Sequence, residues 1–262
     1  MNWNYQLLTY QQVGWAAMLI LVNAAISIAL RLRLGREIIL AAARTVVQLL
    51  IIGMVLKQVF AVTRIDVTLA LMLAMTLIAG WSAVRRAKRR LPGLWLSGMV
   101  GITISSWLTT AIALTAVIQV RPWYTPQYSI PLLGMVLGNS LNGISLGLER
   151  FAEELTRRRG EIETMLALGA NRWEAAHDAI AVAVRTGMVP ILNAMMVVGI
   201  VSLPGMMTGQ LLAGVEPIEA VKYQVVIMFV IAAATALGTV LTVLLSYHYA
   251  FNRRHQFVVP HE

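Results

Sequence analysis

The sequence predicts an all-α, polytopic integral membrane protein of about seven transmembrane helices. Three observations carry this. The chain is 58% hydrophobic and only 13% charged, against roughly 45–50% and about 25% in a soluble domain. The apolar residues fall in blocks of about 20, the length a helix needs to cross a hydrocarbon layer about 30 Å thick. The basic residues gather in the short segments between blocks. Seven spans and their loops use almost all of the 262 residues, so a single membrane domain over 1–262 is expected, with a cytoplasmic segment at 149–187 included in it.

Span 1 is expected at Val13–Leu30. The stretch before it, Met1 to Gln12, has no Lys or Arg, unlike the positive n-region of a cleaved signal peptide, so the first block reads as a retained span. Span 2, Ile38–Leu56, encloses Arg44 with Gln48 one turn on. Span 3 is Ile65–Val84 and span 4 is Leu94–Ile118. Span 5, Ile130–Leu148, is the most polar. Span 6, Met188–Met207, is interrupted by Pro204-Gly205. Span 7, Ala220–Tyr247, follows Glu216, Pro217 and Glu219, a helix start with proline in the first turn and acid at the positive dipole end.

Charge fixes the expected orientation. Arg31, Arg33 and Arg36 follow span 1. Arg85, Arg86, Lys88, Arg89 and Arg90 follow span 3. Arg150, Arg157, Arg158, Arg159, Arg172 and Arg185 follow span 5, and Arg253 and Arg254 sit in the tail. Sixteen basic residues thus share one side, against four (Lys57, Arg64, Arg121, Lys222) on the other. Positive loops stay cytoplasmic, which predicts N-terminus out and C-terminus in. Tyr10, Trp15, Trp123, Tyr124, Tyr128, Tyr247, Tyr249 and Phe251 fall at span ends and suit interfacial belts.

The same distribution assigns the net charge of +9 to topology rather than to nucleic acid. Without cysteine, disulfides and thiolate metal sites are excluded. His177, His248, His255 and His261 form no close-spaced ligand set, and no catalytic centre is inferred.

The segment Glu149 to Gly187 holds seven of the twelve acidic residues. Glu149–Arg159 reads as a cytoplasmic extension of span 5, broken at Gly160. A short helix at Glu161–Leu168 ends at Gly169, a residue suited to left-handed caps. Asn171 with Glu174 three residues on resembles a capping box for the next helix. Such a short helix between spans suits docking of another protein, or equally an amphipathic helix lying on the membrane.

The run Glu161-Ile-Glu-Thr-Met-Leu-Ala-Leu-Gly169-Ala-Asn-Arg-Trp-Glu-Ala175 resembles the coupling-helix region of ABC-transporter permeases, with Glu163 six residues before Gly169 and Thr164-Met165 where that pattern has alanines. The resemblance implies ATPase-coupling roles for Glu161, Glu163, Met165, Leu166, Gly169, Ala170 and Trp173. Three further runs, Ala43–Leu49, Pro131–Ser140 and Ser202–Gln210, resemble the bacterial Fet-type iron-export permeases, which are related to plant aluminium-tolerance permeases. That resemblance covers nearly the whole chain. It implies a homodimeric inner-membrane permease driven by a separate cytoplasmic ATPase that binds ATP and Mg, with iron as cargo. The sequence agrees on the separate ATPase: none of its three lysines follows a glycine, so no G-x-x-x-x-G-K-[ST] loop is present.

Candidates for a translocation path are polar or soft groups inside spans. Met135, Asn139 and Asn142 share a face of span 5, continued by Ser145 and Glu149. They line a path, or they hydrogen-bond the bundle together. Gly134/Gly138 and Gly143/Gly147 permit close helix approach, including one between two protomers. Met206, Met207 and Gln210 lie at the Pro204-Gly205 break and line a cavity or fill a kink. Arg44 with Gln48 contacts an anionic cargo, pairs with a carboxylate, or snorkels. An organic or nucleotide-sugar anion is an alternative cargo. An ATPase-independent secondary transporter or channel is the alternative class, disfavoured because no acidic residue lies at mid-membrane depth.

Overall fold

The computed structural model describes residues 8–61, 64–86, 93–252, 256 and 257. Lys88, Arg89, Arg90, Arg253, Arg254, His255 and His261, used above, lie outside them. Nine α-helices are present among the described residues, and no strand: α1 (Tyr10–Ala29), α2 (Gly35–Ala61), α3 (Ile65–Arg86), α4 (Leu94–Ile112, continued by a π-helical turn at Ala113–Val117), α5 (Pro126–Arg157), α6 (Arg159–Ala167), α7 (Arg172–Val197), α8 (Gly205–Leu212) and α9 (Pro217–Ala250). Seven of them, all but α6 and α8, are long and apolar enough to cross a membrane.

The residues divide into two compact units. The first runs to Arg64 and takes in Leu212–Gly214. It is a helical hairpin of α1 and α2. Thr9 opens α1 with a capping box: its backbone N–H donates to Gln12 Oε1 at 2.8 Å, and its hydroxyl accepts from the Gln12 N–H at 3.4 Å. Leu49, Leu50, Ile51 and Met54 of α2 are all exposed, as expected of side chains that meet lipid.

The second unit is a bundle centred on α5, which packs on α3, α4, α7 and α9. Helix α5 runs from Thr125 at its N-cap to Arg158 at its C-cap without interruption. Pro131 lies inside the helix, past the first turn, and removes one i→i−4 backbone bond without ending it. The bundle closes tightly where α5, α7 and α9 meet. A Cβ on Gly187 would lie 2.6 Å from the Gly143 carbonyl oxygen and 2.6 Å from Thr239 Cγ2. Glycine is required here because backbone touches backbone. Gly143 and Gly147 therefore allow the close helix approach expected of them, and do so within the chain, against Gly187, Ala183 and Thr239.

Three expectations change. Span 6 does not run Met188–Met207. Helix α7 starts from its cap at Asn171, carries Pro190 inside it, and stops at Val197. A turn with Gly199 at φ 83° follows, and Pro204-Gly205 opens the separate α8 instead of kinking a span. Gly160 does not break a helix; the break falls at Arg158, and Gly160 lies inside α6. Phe251 is not a belt residue, being 5% exposed, while Tyr247 is half-buried and packs edge-on to Trp173 at 5.8 Å.

Adding one methyl at the glycine crossing should cost about 1–3 kcal/mol, the usual cost of overpacking. Gly187→Ala should lower the unfolding temperature in detergent. Gly209→Ala, where nothing lies within 4 Å, should not.

Candidate functional site

Two places gather the chemistry, both in the second unit. The first is the elbow formed by the end of α5, α6 and the start of α7. Past the apolar stretch of α5, the sequence sets Glu154 among Arg150, Arg157 and Arg158, spacings of three and four that share a helix face. The Glu154 side chain is fully buried. Arg150 Nη2 lies 2.7 Å from Oε1, while Oε2 accepts from Arg157 Nη2 at 2.7 Å and lies 3.3 Å from Arg158 Nε. A buried carboxylate is tolerated only with such partners, since desolvating it alone costs several kcal/mol. Arg158 closes α5, opens α6, and donates through Nη1 to Asp178 Oδ2 of α7 at 2.9 Å. One guanidinium thus ties three helices.

Helix α6 is anchored by Ile162, 1% exposed, and braced along its own length by the Arg159–Glu163 pair at 2.8 Å. Gly169, at φ 95°, ends it. The Ala170 N–H donates to Met165 O at 3.0 Å and the Gly169 N–H to Leu166 O at 3.1 Å, the two bonds of a Schellman motif. The Asn171 capping box is present: Asn171 Oδ1 accepts from the Trp173 and Glu174 N–H groups, and Glu174 Oε2 accepts from the Asn171 N–H at 2.9 Å.

The result is a short helix in a fixed pose with an open face. Leu168 is 84% and Trp173 45% exposed. Glu161 and Glu163 are exposed, and Met165, Leu166 and Ala170 half-buried. A groove of about 360 Å³ runs between α6 and α7, lined by Arg158, Glu161, Met165, Trp173, Glu174 and Asp178 among others.

The second place is a cavity of about 300 Å³ where α5, α7, α8 and α9 converge. Met135 and Asn139 of α5, Met206 of α8, and Gln224 and Met228 of α9 line it, with Ser202 at the turn. Asn139 Nδ2 donates to Met135 O at 2.8 Å. Gln224 is 6% exposed and its Oε1 has no hydrogen-bond partner.

The other expected path residues are placed elsewhere. Asn142 is exposed, and Glu149 is half-buried. Ser145 is buried and donates to Ala83 O of α3 or to Leu141 O, at 3.1 and 2.7 Å, so it binds helices together. Met207 and Gln210 are half-buried but do not line the cavity. Arg44 and Gln48 are exposed on α2 of the first unit. Among the described residues no three His, Asp or Glu side chains assemble a metal site.

Glu154, Arg158 and Asp178 were not foreseen, although the Arg–Glu–Arg spacing was readable. Gln224 and Met228 were missed because only tertiary packing brings them to Met206.

Residues 10–251 match the uncharacterised protein family UPF0014. The chain belongs to this family. This UPF0014 protein is 38% identical over 258 residues to the UPF0014 membrane protein slr1647 of Synechocystis, covering 96% of this chain and 97% of that one. It is 32% identical over 253 residues to the probable iron export permease protein FetB of Escherichia coli, covering 96% of each. It is 28% identical to the protein ALUMINUM SENSITIVE 3 of Arabidopsis thaliana, over 92% of this chain and 87% of that one. No solved structure matches. Seven membrane-length helices and these bacterial relatives make the UPF0014 chain a multi-pass inner-membrane protein.

Removing the buried charge tests the elbow. Breaking a fully buried pair costs roughly 3–5 kcal/mol. In Glu154→Gln the arginines left behind are 26–61% exposed and free to turn to water, so the loss should fall below that range. It should still exceed the loss in Glu153→Gln, whose carboxylate is half-exposed, in thermal unfolding of the two variants.

Proposed function

We propose that this chain is the membrane-spanning subunit of an ATP-driven ABC transporter, acting as a homodimer with two copies of a separate cytoplasmic ATPase that binds ATP and Mg. The observation that carries the reading is the elbow. A nine-residue helix is exposed on one face, capped at Gly169, and held to α5 and α7 through Arg158. Such an element receives a push and passes it to two long helices as a rigid body. The full-length similarity to a protein named as a permease supports the same reading. ATP hydrolysis on a separate chain is consistent with the lack of a phosphate-binding loop here.

The cavity at Met206 is the proposed stretch of translocation path. Iron export is the first reading of cargo, resting on the Escherichia coli relative's name. The lining offers amides, a hydroxyl and thioethers, and no carboxylate. Thioethers are poor ligands for hard cations, so iron would pass here weakly held or as a complex. The lining holds no Arg or Lys either, so an organic anion stands as the second reading only.

Gentle solubilisation and pull-down of the native protein should bring a stoichiometric ABC ATPase, lost in Gly169→Pro. Recovery of a folded protein with no ATPase would replace the reading with an ATPase-independent transporter or channel.

Gln224→Leu removes a buried acceptor without a partner. It should preserve or raise thermal stability, by up to about 1 kcal/mol, while lowering transport of labelled iron into inverted vesicles. Unchanged transport would take the cavity out of the path.

A further inference from the structure

A larger cavity, of about 940 Å³, belongs to neither place above. It lies within the α1–α2 hairpin, at its turn. Its apolar wall includes Ile28, Ile39 and Leu40, and Arg31, Arg33 and Arg36 stand among its lining. No carboxylate lines it; the nearest acid in sequence, Glu37, is exposed on the first turn of α2.

The turn that sets the arginines is fixed by hydrogen bonds. The buried Ser27 accepts from the Leu32 N–H at its carbonyl, at 2.9 Å, and from the Leu34 N–H at its hydroxyl, at 3.0 Å. Arg31 and Arg33 both adopt left-handed backbone, at φ 54° and 59°, a conformation disfavoured for L-residues other than Asn and Asp. Three guanidiniums within six residues repel one another, and among the described residues none of the three has an acidic partner. An anion would relieve that repulsion, and guanidinium matches phosphate oxygens in bidentate geometry.

The apolar wall decides which anion. Free phosphate would satisfy only the arginines and make no contact with Ile28, Ile39 and Leu40. An anionic phospholipid satisfies both, its phosphate at the arginines and an acyl chain along the isoleucines and leucine. The position suits it, because the turn joins the ends of two membrane-length helices. We propose that the α1–α2 turn is a binding site for an anionic phospholipid, seated with its phosphate on Arg31, Arg33 and Arg36. The site does not depend on the transporter reading.

Native mass spectrometry of the whole protein tests it, after reconstitution in equal parts of phosphatidylglycerol and phosphatidylcholine and extraction into detergent. One arginine near a membrane surface favours anionic lipid by about fivefold. Retained phosphatidylglycerol should therefore exceed phosphatidylcholine by at least about that factor. Arg31→Gln/Arg33→Gln/Arg36→Gln should lower the ratio by at least about that same factor, and Arg33→Gln alone should lower it less. Arg85→Gln, a basic residue stacked on Trp81 elsewhere in the chain, should leave it unchanged. Parity in the wild type, an enrichment unchanged by the triple substitution, or loss of the lipid to millimolar inorganic phosphate would overturn the proposal.

Discussion

The buried carboxylate of Glu154 is the interaction on which the architecture of the α5–α6–α7 elbow depends. It sits on α5, the helix that packs against α3, α4, α7 and α9. Its charge is viable only because Arg150, Arg157 and Arg158 surround it. The same requirement holds Arg158 at the α5–α6 junction, where its remaining donor reaches Asp178. One desolvated charge thus sets where α5 ends, where α6 begins, and how α7 lies beside them. Inside the membrane the matching constraint is steric. Gly143 and Gly187 let α5 and α7 approach to backbone contact, so the two helices that carry the elbow are joined at both depths.

Much of the fold was legible because hydrocarbon imposes it. A helix is the only open-chain way to satisfy the backbone in lipid, so block length and loop charge were enough to find seven spans. The elbow was legible for a related reason: Gly169, and Asn171 with Glu174, are cap chemistry with strong local preferences. Local chemistry failed at span 6. Hydropathy stays high past Val197, and nothing in composition separates a span from the turn and short helix after it. The end is set by the backbone turning at Gly199.

The candidate path was only half legible. Periodicity placed Met135 and Asn139 on one face, and both line the cavity. It gave the same standing to Ser145, which packing turns toward α3. Gln224 and Met228 belong to a helix distant in sequence, so no spacing rule reaches them. The aromatic residues at the end of α9 show the same limit. Tyr247 suits an interfacial belt by depth, yet it serves as a contact for Trp173.

In the proposed transporter the exposed end of α6 faces water and receives a partner. The absence of cysteine allows a direct measurement of both. Leu168, 84% exposed, is substituted as Leu168→Cys, and native membranes are treated with a membrane-impermeant thiol cross-linker applied from the cytoplasmic side. Rapid labelling and a single adduct with an ABC ATPase are expected. A thiol in the Leu168→Cys protein that reacts only with lipid-soluble reagents, and yields no protein adduct, would contradict this and make α6 a helix lying in the membrane surface.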